Sequence, residues 1–418
     1  MIHSAKITSS SSYVPLASSS ECAMMPAMSP RVVLAKDLSA AIEAGHPWIF
    51  DRAIATAPTA DAGTVVDIVA RGRVMARGYF DPGSPLRVRV LTMDTDAELG
   101  GAWARGVAAA AARMRQSDPA LVGVSARRLI HGENDGAPGI VIDVYDDTAV
   151  VVFDGPGPAA FWRPRLDDVL AGLEDAGLEL ARVWLRPRGQ AAEAYRGGRP
   201  PTEIVVREDE TRFAVDVVGG QKTGLFLDQR DNRRRVAALS PGATVLNLFS
   251  YNGGFSLAAA LAGAQRTTSV DIAAPAIDSA RRSFELSGLD PAQHGLVVAD
   301  VFDFAREAIG RGQRFDVVVC DPPSFAPSAK SKAKALKAYR RLADACLELV
   351  DVDGALVFAS CSSHVRDDDL MAVLGRASAA SHRPVRVRGV YGGATDHPVR
   401  PGFPEGRYLS AIFSWIAG

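Results

Sequence analysis

The chain has 418 residues, 47% hydrophobic and 23% charged, a globular balance that excludes a wholly disordered protein. Its 47 Lys plus Arg against 48 Asp plus Glu leave a formal charge of −1, so any nucleic-acid binding must come from local basic patches. Cys22, Cys320, Cys346 and Cys361 form no CxxC pair, which speaks against a zinc site or a disulfide framework, and no run approaches the ~18 apolar residues of a membrane span.

Residues 1–30 carry serine runs at Ser9 to Ser12 and Ser18 to Ser20 and no apolar core of signal-peptide length. They read as a disordered leader, or as a start codon assigned too far upstream. A soluble, cytoplasmic protein of two or three domains is expected, with no membrane partner and no metal; homodimerisation is left open.

From residue 31 to about 100 the pattern is a small β module. Val32 to Leu34, Val65 to Val69, Val74 to Phe80 and Leu86 to Leu91 read as strands, punctuated by Arg71-Gly72-Arg73 and Asp81-Pro82-Gly83. Leu38 to Ala44 has helical spacing and stops at Gly45. Residues 101–218 read as an α+β domain. An Ala-rich helix runs from Ala102 to Arg115, and a second from about Pro164 to Ala176. Strands are expected at Ile140 to Val144, Ala149 to Phe153, Arg182 to Leu185, Ile204 to Arg207 and Thr211 to Val218.

Residues 219–418 alternate strand and helix, the mark of a doubly wound, mostly parallel α/β sheet. Strands are predicted at Val245 to Phe249, Thr267 to Val270, Val297-Val298, Phe315 to Cys320 and Ala355 to Ser360, with a late antiparallel strand at Tyr408 to Trp415. Helices are predicted at Phe255 to Ala264 and Pro275 to Ser287.

Three motifs carry chemistry. In Asn247-Leu248-Phe249-Ser250-Tyr251-Asn252-Gly253-Gly254 a strand enters a glycine turn and then a helix, which lets a ligand approach the backbone closely. Asp271 ends the second strand, where a carboxylate can accept ribose hydroxyls, and Asp300 ends the third, placed for an adenine or its ribose. A single glycine here could be an ordinary βα turn; the glycines with both aspartates point to a mononucleotide-like cofactor. The full G-x-G-x-x-G fingerprint of nicotinamide cofactors is absent, and so is the Gly-Lys-Ser/Thr ending of a P-loop.

In Val317-Val318-Val319-Cys320-Asp321-Pro322-Pro323-Ser324-Phe325 an apolar strand delivers an aspartate and two prolines to the same sheet edge. Prolines fix the backbone and leave carbonyls free, a rigid platform beside a planar base or amine. Cys361 follows the fifth strand within Ser360-Cys361-Ser362. A lone cysteine is more often an inert small hydrophobe, but beside the cofactor edge Cys361 is the candidate nucleophile. Cys320 should face the packing layer, because side chains alternate along a strand.

Together these features resemble the bacterial large-subunit (23S) ribosomal RNA methyltransferase I family. The resemblance runs from Arg31 to the C-terminus. It includes His46-Pro47-Trp48-Ile49-Phe50, Gly132 to Gly139, Lys222 to Arg230, the glycine turn, Asp-Pro-Pro, Ser-Cys-Ser, Asp396-His397-Pro398 and Pro404-Glu405-Gly406. Serine follows Asp-Pro-Pro where lysine is familiar. The resemblance implies a PUA-like RNA-binding domain, a central α+β domain and a Rossmann-like class I methyltransferase domain. It further implies cytosine-5 methylation of RNA with S-adenosylmethionine, with 23S ribosomal RNA as partner.

On that reading Cys361 is the nucleophile and Asp321 holds the base. Cofactor contacts are expected at Gln229, Asn247, Phe249, Tyr251, Gly253, Gly254, Asp271, Asp300, Val301 and Asp321. His397 is a candidate base or a structural residue. Lys330, Lys332, Lys334, Lys337 and Arg340, with no acidic residue between, are expected to meet RNA phosphates; the plainer alternative is a solvated helix face. Arg233-Arg234-Arg235 is a weaker patch. Two other functions compete. One is an amino-group methyltransferase on nucleic acid or protein, with Asp321-Pro322-Pro323 holding the amine. The other is a non-catalytic RNA-binding factor that keeps the fold.

Overall fold

The computed structural model describes Met1, residues 29–326 and residues 328–417. The expected Ser-rich leader therefore lies almost wholly outside the described residues. In the N-terminal module six strands form one sheet in the order Trp48–Phe50, Leu86–Thr92, Arg73–Phe80, Val65–Ala70, Arg31–Leu34, Ile54–Thr56. Val32, Ile49, Val66, Ile68, Ala76 and Val88 fill its core. Two of these strands have only three residues, too few to show the two-residue alternation that marks a strand.

The central sheet runs Glu193–Arg196, Arg182–Leu185, Thr148–Phe153, Ile140–Tyr145, Ala126–His131. Helices Gly101–Gln116 and Leu166–Asp175 pack with it through Ala108, Ala112, Leu166 and Leu170. A separate helix, Pro156–Trp162, precedes the second of these and ends in a 3-10 turn at Arg163–Arg165. The hairpin Ile204–Glu208 and Thr211–Val215 packs between the two layers: Ile204, Val206 and Phe213 share one core with Tyr145, Val150 and Trp184 of the central sheet and, on the C-terminal side, with Leu257 and Phe284. There Ala214 N donates to Ser283 Oγ at 3.0 Å, and Ala214 O accepts from Ser279 Oγ at 3.0 Å.

In the C-terminal layer, numbered alone, the order is β1 (Thr244–Leu248), α1 (Gly254–Leu261), β2 (Arg266–Asp271), α2 (Ala274–Leu286), β3 (Gly295–Val298), α3 (Val301–Gly310) and β4 (Phe315–Cys320). Then follow α4 (Lys332–Leu349), β5 (Val350–Ser360), α5 (Asp367–Ser381), β6 (Val385–Tyr391) and β7 (Ser410–Ile416). The sheet order is β3-β2-β1-β4-β5-β7-β6. Strands β1 to β5 are parallel, and β7 is antiparallel to both neighbours, as expected from sequence. This is the Rossmann-like doubly wound sheet, and its strand order reverses beside β1, where ligands bind such sheets. Leu246, Leu248, Val318, Leu356 and Phe358 are wholly buried, as central parallel strands require.

Motifs far apart in sequence form the joint between the three layers. Asp396 is buried; it forms an ion pair with Arg230 Nη1 at 2.9 Å and accepts from the Arg128 backbone amide at 3.0 Å and from His397 Nδ1, 2.8 Å away. Arg115 forks onto Asp135 at 2.7 Å and also donates to Asp396 O at 2.9 Å. Trp48 Nε1 reaches Glu133 at 2.9 Å and its ring meets Phe403 edge to face, while Arg400 N donates to Asn134 Oδ1. A buried pair is costly to break, because removing one partner strands the other charge. Gly132 to Gly139, Asp396-His397-Pro398 and Pro404-Glu405-Gly406 therefore hold the domains in register.

Candidate active site

At the carboxyl edge of β1, β2, β4 and β5 a cleft of about 190 Å³ is lined by residues of the Lys222 to Arg230 stretch, the glycine turn, Asp271, Asp321-Pro322-Pro323 and Cys361. The glycine turn is sharply bent: Phe249, Tyr251 and Gly253 have φ of 58°, 47° and 74°. A Cβ on Gly253 would lie 3.0 Å from Ala280 Cβ, so this position needs glycine for space as well as for φ. Asp271 braces the turn, its Oδ2 accepting from Tyr251 N at 2.8 Å and its Oδ1 from Ala273 N at 2.9 Å.

Of the expected cofactor positions, Gln229, Phe249, Tyr251, Gly254, Asp271 and Asp321 line this cleft. Four do not. Asn247 is buried in β1, where its Nδ2 donates to Ser256 Oγ at 3.2 Å and fixes α1 to the sheet. Gly253 lies behind the turn against Ala280. Asp300 caps α3, its Oδ1 accepting from Phe302 N and Asp303 N, and Val301 is packed in the core. The side chains of Asn247, Asp300 and Val301 are used locally, in strand, cap and core.

Cys361 and Asp321 stand at the ends of adjacent strands, β5 and β4, on the same cleft. The Cys361 thiol points to the Pro322 carbonyl oxygen at 3.9 Å. Ser362 Oγ donates to Ala326 O at 3.0 Å and ties the two loops together, and Tyr339 OH of α4 donates to Ser360 Oγ at the end of β5 at 2.7 Å. Cys320 is fully buried with Cys346 in the packing layer, on the face opposite the cleft. Burial pushes the Asp321 carboxyl up to about 6, helped by the nearby Asp228 carboxylate. Burial and the Asp321 carboxylate push the Cys361 thiol up to about 11, and the Lys222 ammonium opposes them.

Lys222 and Asp228 are functional candidates that residue-by-residue reading of the sequence passed over. Lys222 Nζ lies 2.8 Å from Asp228 Oδ2 and over the Phe226 ring, and Tyr408 OH donates to the same carboxylate oxygen at 2.6 Å. Burial alone would raise Asp228, but Lys222, His397 and Tyr408 hold it well below the usual carboxylate range. Its Oδ1 and the Ser250 hydroxyl are buried without a partner, although both residues line the cleft. Their signal was the position of Asp228 beside Gln229 within one quoted motif.

His397 is not in the cleft lining. It is buried against Asp396 with its ring 5.0 Å from that of His131, and burial with the Arg128 charge lowers its pKa. It acts in the joint between domains. The run Lys330, Lys332, Lys334, Lys337 and Arg340 opens at the 3-10 turn Ala329–Ser331 and continues along α4. Free of acids in sequence, it meets them in space: Lys332 pairs with Asp369 and Arg340 with Asp344, both at 2.7 Å. Lys330, Lys334 and Lys337 are exposed. In the Arg233-Arg234-Arg235 patch only Arg233 is buried, and all three are engaged: Arg233 forks onto Glu208, Arg234 onto Asp209, and Arg235 stacks over Tyr391. Among the described residues no cluster of His, Cys, Asp or Glu is arranged to hold a metal, and no helix is long and apolar enough to cross a membrane.

Residues 175–388 match the model of S-adenosylmethionine-dependent methyltransferases, and residues 32–93 that of PUA-like domains. The chain is 37% identical over 406 residues to a ribosomal RNA large subunit methyltransferase of Deinococcus radiodurans, covering 93% of this chain and 97% of that one. It is 35% identical over 399 residues to ribosomal RNA large subunit methyltransferase I of Shewanella denitrificans, covering 93% and 100%. The fold is shared with a candidate SAM-dependent methyltransferase from Streptococcus mutans, at a TM-score of 0.81 and 22% identity over 92% of this chain and 100% of that one. A candidate methyltransferase complexed with SAH matches equally well, at 0.81 and 22% over 93% and 100%.

Proposed function

Since the chain belongs to the ribosomal RNA large subunit methyltransferase I family of S-adenosylmethionine-dependent enzymes, we propose that it methylates carbon 5 of a cytosine in 23S ribosomal RNA through a covalent Cys361 adduct. The observation that carries this reading is the pairing of Cys361 and Asp321 on adjacent strand ends of one cleft.

The cleft fits the cofactor. Its glycine turn admits a ligand against the backbone, and the unpartnered Ser250 Oγ and Asp228 Oδ1 await polar hydrogens. Phe249, Tyr251, Gly254 and Asp271 would hold it, and when bound it supplies an electrophilic methyl group. Carbon 5 of cytosine is itself a poor nucleophile. Addition of the Cys361 thiolate to carbon 6 forms a C–S bond and moves the ring electrons toward carbon 5 and N3. Asp321, whose pKa of about 6 lets it exchange a proton near neutrality, donates to N3 as that charge develops. Once carbon 5 bears its new substituent, transfer of its proton to a base restores the ring double bond and expels the thiolate, and N3 returns its proton to Asp321.

The thiol is raised to about 11 by burial and Asp321, and as the site is filled its proton passes to the Asp321 carboxylate, which is the proton Asp321 then gives to N3. Protonation of Asp321 removes the repulsion that holds the thiolate back. Digestion of RNA after reaction with labelled S-adenosylmethionine tests the assignment. Label in 5-methylcytosine is expected; label in a methylated amino group would replace it with the amino-methyltransferase reading.

A further inference from the structure

A second cavity, of about 570 Å³, lies against the wall of the catalytic cleft, between the central domain and the C-terminal layer. Twelve residues line it, four of them cationic (Arg128, Arg186, Arg188 and Lys222) and none acidic. Lys222 lines both cavities, and Tyr408, bonded to Asp228 of the catalytic cleft, lines the second. The partition between them is therefore the Lys222–Asp228–Tyr408 group.

The cations are not equally free. Arg128 is committed to Asp143, Lys222 to Asp228, and exposed Arg188 meets Asp154 at 2.8 Å. Arg186 is half-buried, and among the described residues no carboxylate lies within 4.0 Å of it. It donates only to the carbonyls of Val217 at 3.2 Å and Gly220 at 3.0 Å, which leaves guanidinium N–H groups available. A cation held by carbonyls beside an acid-free cavity is suited to an anion.

We infer that this cavity seats the phosphodiester backbone next to the target nucleotide, with Arg186 as the phosphate contact. The inference rests on the RNA methyltransferase reading above and adds a second RNA-binding wall, supplied by the central domain. The α4 lysines lie on a different element, so the strand would be gripped from two sides of the target base. Phosphate contacts of this kind fix position and carry no sequence information.

The test uses the full chain and a ribosomal RNA fragment with 4-thiouridine on either side of the target cytidine. Irradiation is expected to cross-link residues 186–192. The variant Arg186→Gln should reduce the salt slope of RNA binding by about 0.7, one single-strand phosphate contact. Its calorimetric affinity for S-adenosylmethionine should be unchanged. Because Arg186 also holds the 217–220 segment, Arg186→Lys serves as control and should retain the slope. Cross-links confined to other segments with an unaltered slope would overturn the inference. Nucleoside analysis of the same reaction keeps the two readings apart. 5-Methylcytosine formed without cross-links at 186–192 defeats this inference alone, whereas cross-links there with another methylated product defeat the cytosine-5 reading alone.

Discussion

Gln229 Nε2 donates to Asp321 Oδ2 at 2.8 Å, joining two motifs that lie 92 residues apart in sequence. Asn232 holds the other end of the Gln229 amide at 2.7 Å, so the donor is oriented before any substrate arrives. This bond opposes the burial and the Asp228 charge that lift Asp321 from its ordinary 3.8 to about 6.

A raised carboxyl pKa has a stability consequence of definite sign. The folded state holds the Asp321 proton more tightly than the unfolded state, so this group's contribution is full below about pH 4. It is lost as pH rises through about 6. Asp321→Asn should therefore stabilise the protein by roughly 1–3 kcal/mol at pH 8, while methyl transfer falls sharply. The gain should vanish near pH 4. Thermal or urea unfolding at the two pH values checks this, and an equal effect at both would remove the titration from the explanation.

Asp271 is expected to serve both the turn and the cofactor. Asp271→Ala should weaken S-adenosylmethionine binding by about 1–3 kcal/mol, the scale of a lost hydrogen bond to a charged group. It should also lower stability, since Tyr251 N and Ala273 N lose their acceptor. Calorimetry on the folded variant decides; unchanged affinity would leave Asp271 as a purely structural brace.

The basic run should act unevenly. Replacing Lys330, Lys334 and Lys337 with Gln should flatten the salt dependence of RNA binding, by about 0.7 for each phosphate contact on a single strand. Lys332 and Arg340 are paired with Asp369 and Asp344, so their replacement should change the slope less. Filter binding across a salt series measures both. Equal slopes in all variants would make the run a solvated surface.

Much of this was legible in the sequence because central parallel strands are short apolar runs with chemistry at their ends. Val317 to Cys320 followed by Asp321, and Leu356 to Ser360 followed by Cys361, announce both the strands and the site. Cys320 and Asp321 part to opposite faces because the strand alternates. The edge strand β6 went unread although Val385-Arg386-Val387-Arg388 alternates, since such a segment is defined by its pairing with β7. Of the acidic partners only Asp369 needed the fold; Asp344 lies four residues beyond Arg340 on the same helix, the spacing of a local ion pair. Lys222 and Asp228 sat within a quoted motif, but only tertiary structure brings Tyr408 to them.

The most direct measurement is covalent trapping on ribosomal RNA carrying 5-fluorocytosine at the target, with S-adenosylmethionine present. Fluorine at carbon 5 cannot leave as a proton, so a cysteine adduct persists. Wild-type protein and Cys320→Ala should both form the adduct, the latter with a stability loss of about 1–2 kcal/mol from a small core cavity. Cys361→Ala should form none and transfer no methyl group, and peptide mapping should place the bond on Cys361. An adduct that persists in Cys361→Ala would contradict the account at its centre.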